Sequence, residues 1–384
     1  DTLDVLARLS FRYPLHVVSS EQSRGAAAAR NRGAEAASSP IIVFLDDDIE
    51  AGPELIAAHA REHGAGAALT TGYLPATTAH RIDFFQIALR RWWEAMFNRM
   101  RQPGHRYTFR DVLTGNCAID TDLFRQVGGF DEQFRCHEDY ELGVRAIASG
   151  ADVRFAPDAT GIHHERTTMP RAFARKVDEG RADVALLRKH PRLLTVLPLG
   201  VFEQYATPME FRVRRLVFEW PRAGRLVART LTRSLVPMEA TRLRGRWLRR
   251  LHVLLHYWYW RGVRDEVPSL AALRDFRAEC RSRPTGAVDR AEVDLAHGLQ
   301  RAMATIDARR PDAVRVRYGD HVVGAIEAEP GAERLRGTHL KAALARELAG
   351  PLVAALGRAG VIPVSIDAGR LVSSGPLPSR ALAL

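Results

Sequence analysis

The feature that most constrains this chain is the run Ile41-Ile42-Val43-Phe44-Leu45, which ends abruptly in Asp46-Asp47-Asp48. A short, continuous apolar run bounded by charge reads as a strand buried on both faces. Helical spacing lies on either side, in the alanine- and arginine-rich Gly25–Ala37 and in Pro53–His63. Thr2–Leu9 has helical spacing too, and Leu15–Ser19 and Asp152–Ala156 are β-prone. This alternation predicts an α/β domain with a mostly parallel sheet and flanking helices over residues 1–185. In such sheets ligands bind beyond the carboxyl ends of strands. The acidic cluster therefore has the address of a site.

Four constellations carry chemistry. In the first, the adjacent carboxylates of Asp46, Asp47 and Asp48 repel one another and raise each other's pKa unless a cation neutralises them. Carboxylate oxygens suit Mg²⁺ or Mn²⁺; the plainer alternative is a solvated turn that caps the next helix. The second is Gly128-Gly129-Phe130-Asp131-Glu132 followed by His137-Glu138-Asp139-Tyr140. Glu138 and Asp139 open a helix whose apolar face includes Leu142 and Ile147. A helix N-terminus stabilises a carboxylate and gives a general base a rigid support, although such charge complementarity is common on any helix. The third is His163-His164, able to ligate a metal or carry a proton, or simply solvated on a loop. The fourth is Ser23-Arg24-Gly25-Ala26-Ala27-Ala28-Ala29-Arg30-Asn31-Arg32-Gly33, where Arg24 and Arg30 can pair with phosphate or face water. It contains no G-x-G-x-x-G, so a dinucleotide fold has no support.

Taken in order, R-G-A-A-A-A-R-N-R-G, I-V-F-L-D-D-D, L-T-G-N-C-A-I-D, V-G-G-F-D-E-Q-F, H-E-D-Y-E-L-G-V-R and a later histidine resemble the family 2 glycosyltransferases. The resemblance covers residues 1–170. It implies a GT-A fold and an inverting, metal-dependent transferase of the nucleotide-diphospho-sugar type, acting in cell-envelope or surface glycan synthesis. It implies that Asp46 and Asp48 are the ends of a D-x-D motif, Asp48 the direct ligand of Mn²⁺ or Mg²⁺, and that Asp47 lies near the ribose. Arg30 then lies near the nucleotide, and Thr114, Gly115 and Asn116 approach donor sugar and acceptor. Asp139 is the implied catalytic base, with Glu138 its acceptor-side neighbour. His163 fits a late metal or diphosphate contact, and spacing does not separate it from His164. The family's first strands and the turn that ends the second are not in this sequence, so the resemblance leads us to expect an N-terminally truncated domain. A sugar nucleotidyltransferase and a non-catalytic binding or scaffold protein are the competing readings. The first would share the α/β logic, while the second would be expected to lack Asp48 or Asp139.

Outside that region, the net charge of +11 is local. Phe211–Arg264 holds fourteen arginines against Glu219 and Glu239, an excess of +12. It also carries Phe211, Trp220, Trp247 and the run Tyr257-Trp258-Tyr259-Trp260. Arginine with interfacial aromatics suits a helix lying on an anionic membrane; the alternative is packing onto the catalytic domain as an acceptor-cleft wall. No recognised nucleic-acid module is present, so nucleic acid is the weakest partner. The partners expected are a nucleotide-sugar donor and a glycan or lipid-linked acceptor. No apolar run reaches the ~18 residues of a spanning helix. Cys117, Cys136 and Cys280 are odd in number without a C-x-x-C, which suits a reducing, cytoplasmic compartment. We expect a basic helical region over 186–284, and a linker helix with a small α/β module over 285–384. In that module Gly286–Arg309 reads as the linker helix, and Val314–Tyr318 pairs with His321–Glu327 through Gly319-Asp320. Leu340–Leu356 reads as a helix and Val361–Ile366 as a strand.

Overall fold

The structure, a computed structural model, describes residues 2–8, 13–20, 22–75, 83–205, 207–284, 286–362, 364–367 and 370–373. The N-terminal part runs α1 (Thr2–Arg8), α2 (Ala26–Ala36), β1 (Ile41–Leu45), β2 (Ile49–Ala51), α3 (Leu55–Gly64), β3 (Leu69–Tyr73), α4 (Phe84–Met100), β4 (Asn116–Asp120), α5 (Thr121–Gln126), α6 (Glu138–Ala148) and β5 (Val153–His163). Leu15–Ser19 is not a strand; Leu15, Val17 and Val18 are exposed and lie outside the sheet.

The sheet order is β1-β4-β3-β5-β2. β3 and β5 pair in parallel, whereas β4 runs antiparallel to both β1 and β3, and β2 antiparallel to β5. Strands β1, β3 and β5 thus share one direction, but the expected mostly parallel pairing is corrected to a mixed sheet. The reason is topological. The chain leaves β3, passes through α4 and returns as β4 between β1 and β3, which separates two strands of common direction. Ile42, Phe44, Leu69, Ile119, Leu142, Ile147 and Val153 form one core cluster that binds α6 to this sheet. Phe44 meets Phe124 and Phe130 at ring separations of 5.5 and 5.2 Å, which fixes β1 against the Gly128–Glu132 loop.

The helical part runs α7 (Met169–Lys189), α8 (Pro198–Tyr205), α9 (Pro208–Phe218), α10 (Pro221–Arg233), α11 (Leu235–Ala240), α12 (Arg244–Glu266) and α13 (Leu270–Ser282). Prolines sit in the first turn of α9 and α10, where the missing N–H leaves no helix bond unmade. Helix α7 passes through residue 185 without a break and packs along α12. Glycines allow that approach: a Cβ on Gly262 would lie 1.9 Å from the Val177 carbonyl oxygen, and one on Gly180 2.2 Å from that of Tyr259. Trp247, Tyr257, Tyr259 and Trp260 are buried in a core shared with Phe85, Phe109 and Val184. The aromatic run of α12 is therefore core. Phe211 and Trp220 are exposed instead. No helix among the described residues is long and apolar enough to cross a membrane.

The C-terminal part contains β6 (Arg290–Asp294), α14 (Leu299–Arg309), β7 (Ala313–Tyr318), β8 (His321–Ile326), α15 (Gly337–Ala345), α16 (Ala349–Arg358), β9 (Val364–Asp367) and β10 (Arg370–Ser373). The stretch expected as a linker helix supplies a strand as well: Ala291 and Val293 of β6 are buried against Val314 and Val316 of β7. The β7–β8 hairpin turns at Gly319 (φ 57°) as its Gly-Asp dipeptide predicts. The expected long helix breaks between α15 and α16.

Candidate active site

Two acidic elements far apart in sequence meet through one side chain. Arg30 on α2 donates to Asp46 Oδ1 at 2.7 Å and to Glu138 Oε1 at 2.8 Å. Asp46 directly follows β1 and Glu138 begins α6, so Arg30 ties the strand end to the helix start. A planar guanidinium can hold two carboxylates at once, which an ammonium does less well. The Asp46 amide donates to the Gly115 carbonyl at 3.0 Å, and a Cβ on Gly115 would lie 3.2 Å from Asp46 Oδ2. The absence of a side chain there brings the backbone of that segment onto the acidic turn.

Asp139 follows Glu138 in the first turn of α6. Burial, then the Glu138 carboxylate, pushes its carboxyl up to about 6, against the pull of His137, the Tyr140 amide and Arg175. A carboxyl poised near neutrality suits a general base. The start of α6 is held from behind. His137 sits in the left-handed region (φ 61°), stacks on Tyr140 at 4.4 Å and faces Asp183 Oδ1 of α7 at 3.0 Å. Asp183 Oδ2 accepts from Tyr259 of α12 at 2.7 Å. The helical part therefore supports the helix that carries Asp139.

The other end of the acidic turn faces β5. Asp48 Oδ2 lies 3.3 Å from His163 Nε2, and the His164 amide donates to the Asp48 carbonyl at 2.9 Å. The His164 ring turns instead to Glu50, at 3.1 Å. This separates the histidine pair: His163 shares a face with Asp48 and His164 does not. Asp48 and His163 fit a divalent cation of the Mn²⁺ or Mg²⁺ class, since a carboxylate oxygen and an imidazole nitrogen converge and Asp48 is exposed to further oxygen ligands. Asp46, also expected to bind metal, has one oxygen committed to Arg30.

The remaining expected residues fall in different places. Asp47 is exposed. Arg24 is exposed and pairs with Glu132 at 3.0 Å. Thr114 is buried. Asn116 is buried with both side-chain ends engaged, its oxygen with His59 at 2.9 Å and its nitrogen with the Ala159 carbonyl at 2.8 Å. It braces the sheet behind the site. Sequence reasoning did not single out Asn31. Its amide donates to the Phe130 carbonyl at 2.9 Å and its oxygen accepts from the Phe130 amide at 2.8 Å. Gly129 beside it has φ 68°, and a Cβ there would meet Asn31 Oδ1 at 2.8 Å. His137 was quoted with the α6 motif but given no role, and Asp183 was missed. Asn31 lies within the quoted A-R-N segment, and that was its only signal.

Residues 1–128 match the family model described as glycosyl transferase family 2, and residues 94–169 one described as the N-terminal domain of galactosyltransferase. A validoxylamine A glucosyltransferase of Streptomyces hygroscopicus is 33% identical over 198 residues, 44% of this chain and 46% of the relative. A pre-mycofactocin glycosyltransferase of Mycobacterium tuberculosis is 26% identical over 268 residues, 64% of this chain and 55% of the relative. The chain spans about half the length of these curated relatives. The solved mannosyltransferase PcManGT of Pyrobaculum calidifontis, in complex with GDP-Man and Mn²⁺, aligns at 16% identity and a TM-score of 0.38, covering 65% of this chain and 68% of that one.

Proposed function

Taking the N-terminal part of the chain as a family 2 glycosyltransferase domain of the GT-A type, we propose that it moves a sugar from a nucleotide-diphospho-sugar to an acceptor hydroxyl by one inverting displacement. The observation that carries this reading is the convergence through Arg30 of the β1 acidic end and the α6 start, with Asp139 held near 6. Asp139 accepts the hydroxyl proton as that oxygen bonds to the anomeric carbon. The bond to the diphosphate oxygen breaks, and its electron pair leaves with the nucleotide. General-base assistance of this kind contributes about 10²–10⁴-fold. Glu138 stays paired with Arg30 and does not compete for the proton. Asp48 and His163 would hold a divalent cation, which when bound stabilises the charge that develops on the departing diphosphate. Asp46, Asp47, Arg24, Arg30 and the backbone of Thr114 and Gly115 surround the nucleotide and sugar in this reading. Attack from the face opposite the leaving group inverts the anomeric centre.

The acceptor in this reading is a glycan or a lipid-linked sugar at the inner face of the cell membrane. Its support is the surface of α9–α11, where Phe211, Trp220, Leu226, Val227 and Val236 are exposed among Arg222, Arg225, Arg229 and Arg233.

Calorimetry with a panel of nucleoside diphosphates, in Mn²⁺ and then in chelator, tests the donor site. One nucleotide bound only with metal supports it. No binding to any of them, by a chain that melts cooperatively, would favour the non-catalytic reading.

A further inference from the structure

We propose that Glu210, His252 and His256 bind a divalent transition-metal ion of the zinc class, at a site separate from the acidic strand end. The three residues lie in the helical part. Among the described residues they are the group of three His, Cys, Asp or Glu side chains whose ligand atoms all lie within 4.8 Å of one another.

The geometry begins with the sequence His252-Val253-Leu254-Leu255-His256 on α12. Positions four apart on a helix share a face, and the two rings stand 4.4 Å apart at a tilt of 45°. The third member arrives on another element. Glu210 lies in the first turn of α9 as the far half of a capping box: its Oε2 accepts from the Thr207 amide at 2.8 Å and the Thr207 hydroxyl at 3.0 Å. The cap fixes the carboxylate and turns Oε1 toward the histidines. Oε1 lies 3.8 Å from His252 Nε2 and 3.7 Å from His256 Nε2.

These separations are too long for hydrogen bonds. They are close to what an ion would need. Two ligand atoms at bonds of ~2.1 Å and a tetrahedral angle stand about 3.4 Å apart, so each separation need close by only a few tenths of an ångström. Metal ligands are commonly oriented by a second hydrogen bond, and the Thr207 cap supplies one to Glu210. Lys176 of α7 is the opposing charge near His256, and its ammonium is paired with Glu179.

The ligand set names the ion. Two imidazoles and one carboxylate, with a fourth position open to water, suit Zn²⁺ and its first-row neighbours. Mg²⁺ favours oxygen ligands and keeps its waters, so this site should discriminate against Mg²⁺. A bound ion would clip α9 to α12 across the base of the arginine-rich surface.

The test uses the full chain carrying Asp48→Ala, which removes the acidic-end site from the measurement. Titration with ZnCl₂ should show one equivalent bound, unaffected by excess Mg²⁺, with a rise in melting temperature. Co²⁺ should give ligand-field bands in the visible. Adding His252→Asn, a change at an exposed position, should weaken Zn²⁺ at least 100-fold and abolish those bands while the protein still melts cooperatively. Unchanged Zn²⁺ binding in the His252→Asn variant would overturn the proposal. So would the absence of Zn²⁺ binding in folded Asp48→Ala protein, because the ion would then belong to the strand end.

Discussion

Glu138 and Asp139 are neighbours with different surroundings. Glu138 meets Arg30 at 2.8 Å, whereas Asp139 is governed by burial and by the charge of Glu138. Burial and the Glu138 charge lift the Asp139 carboxyl to about 6. Asp139→Asn removes the proposed base with little change in shape. It should lower turnover by about 10²–10⁴-fold while leaving nucleotide affinity within a few-fold, as calorimetry and a transfer assay would read. In the wild type the rate should climb as pH rises through about 6, because the proposed base would work deprotonated. Stability moves the other way. A carboxyl whose pKa is higher folded than unfolded binds more protons in the folded chain. Its contribution is therefore best below the ordinary 3.8 and declines as pH rises through about 6. Asp139→Asn should consequently melt at or above the wild-type temperature at pH 7; a clear fall would show that the carboxylate is not held at a cost. At this scale the sequence was legible by residue type only. Asp46-Asp47-Asp48 reads as one acidic block, yet one carboxylate goes to Arg30, one to solvent and one to His163. Asn116 sits within a motif facing the site but is turned inward by His59, a partner 57 positions away that no local pattern announces.

Between elements, the loop before α6 is fixed by polar clasps. Asn31 exchanges two hydrogen bonds with Phe130. From the other side Arg145 donates to the Gly129 carbonyl at 2.7 Å and also reaches the Val127 carbonyl. Arg145 is held by the buried Glu141. Burial alone would raise that carboxyl, but hydrogen bonds from His190, Arg145 and Lys189 outweigh it and bring it down to about 2. Asn31→Ala leaves the backbone groups of Phe130 without these partners. It should cost about 1–3 kcal/mol in a denaturant titration, the usual penalty for unsatisfied buried groups, and should weaken donor binding because α2 and α6 then lose their shared reference point. A loss below ~0.5 kcal/mol would mean that Arg145 alone holds the loop. Helices α2 and α3 and the β1 strand were readable from composition and apolar spacing, although β1 buries Ile42 and Phe44 and leaves Leu45 exposed instead of being covered on both faces. Pairing direction was not, because it depends on where β4 inserts, and the apolar run of β1 is the same beside a parallel or an antiparallel neighbour.

Across the whole molecule the three parts lean on one another. Residues 331–336 run along residues 106–109, with the Phe109 amide on the Gly331 carbonyl at 2.9 Å and Arg336 reaching Asp152 at 2.8 Å. Phe109 in turn backs α6, since a Cβ on Gly143 would meet its carbonyl oxygen at 2.9 Å. In the middle part the aromatics and the arginines separate. Trp247 and the Tyr257–Trp260 run build the core beside the N-terminal part, while α10 turns Arg222, Arg225, Arg229 and Arg233 outward around Leu226 and Val227. A basic face with protruding apolar side chains binds anionic lipid by charge and by shallow insertion. Each arginine near an anionic surface contributes about 1 kcal/mol. The full chain should therefore sediment with vesicles rich in anionic phospholipid, should ignore neutral ones, and should be released as salt shortens the screening length. Arg225→Gln with Arg229→Gln removes two such contributions, about 2 kcal/mol, and should weaken binding roughly 30-fold. Leu226→Ser should weaken it at every salt concentration, because insertion is not screened. Failure to bind anionic vesicles at low ionic strength would leave this arginine face without a membrane role and would separate acceptor choice from lipid, since the buried aromatics of α12 already account for how the middle part packs.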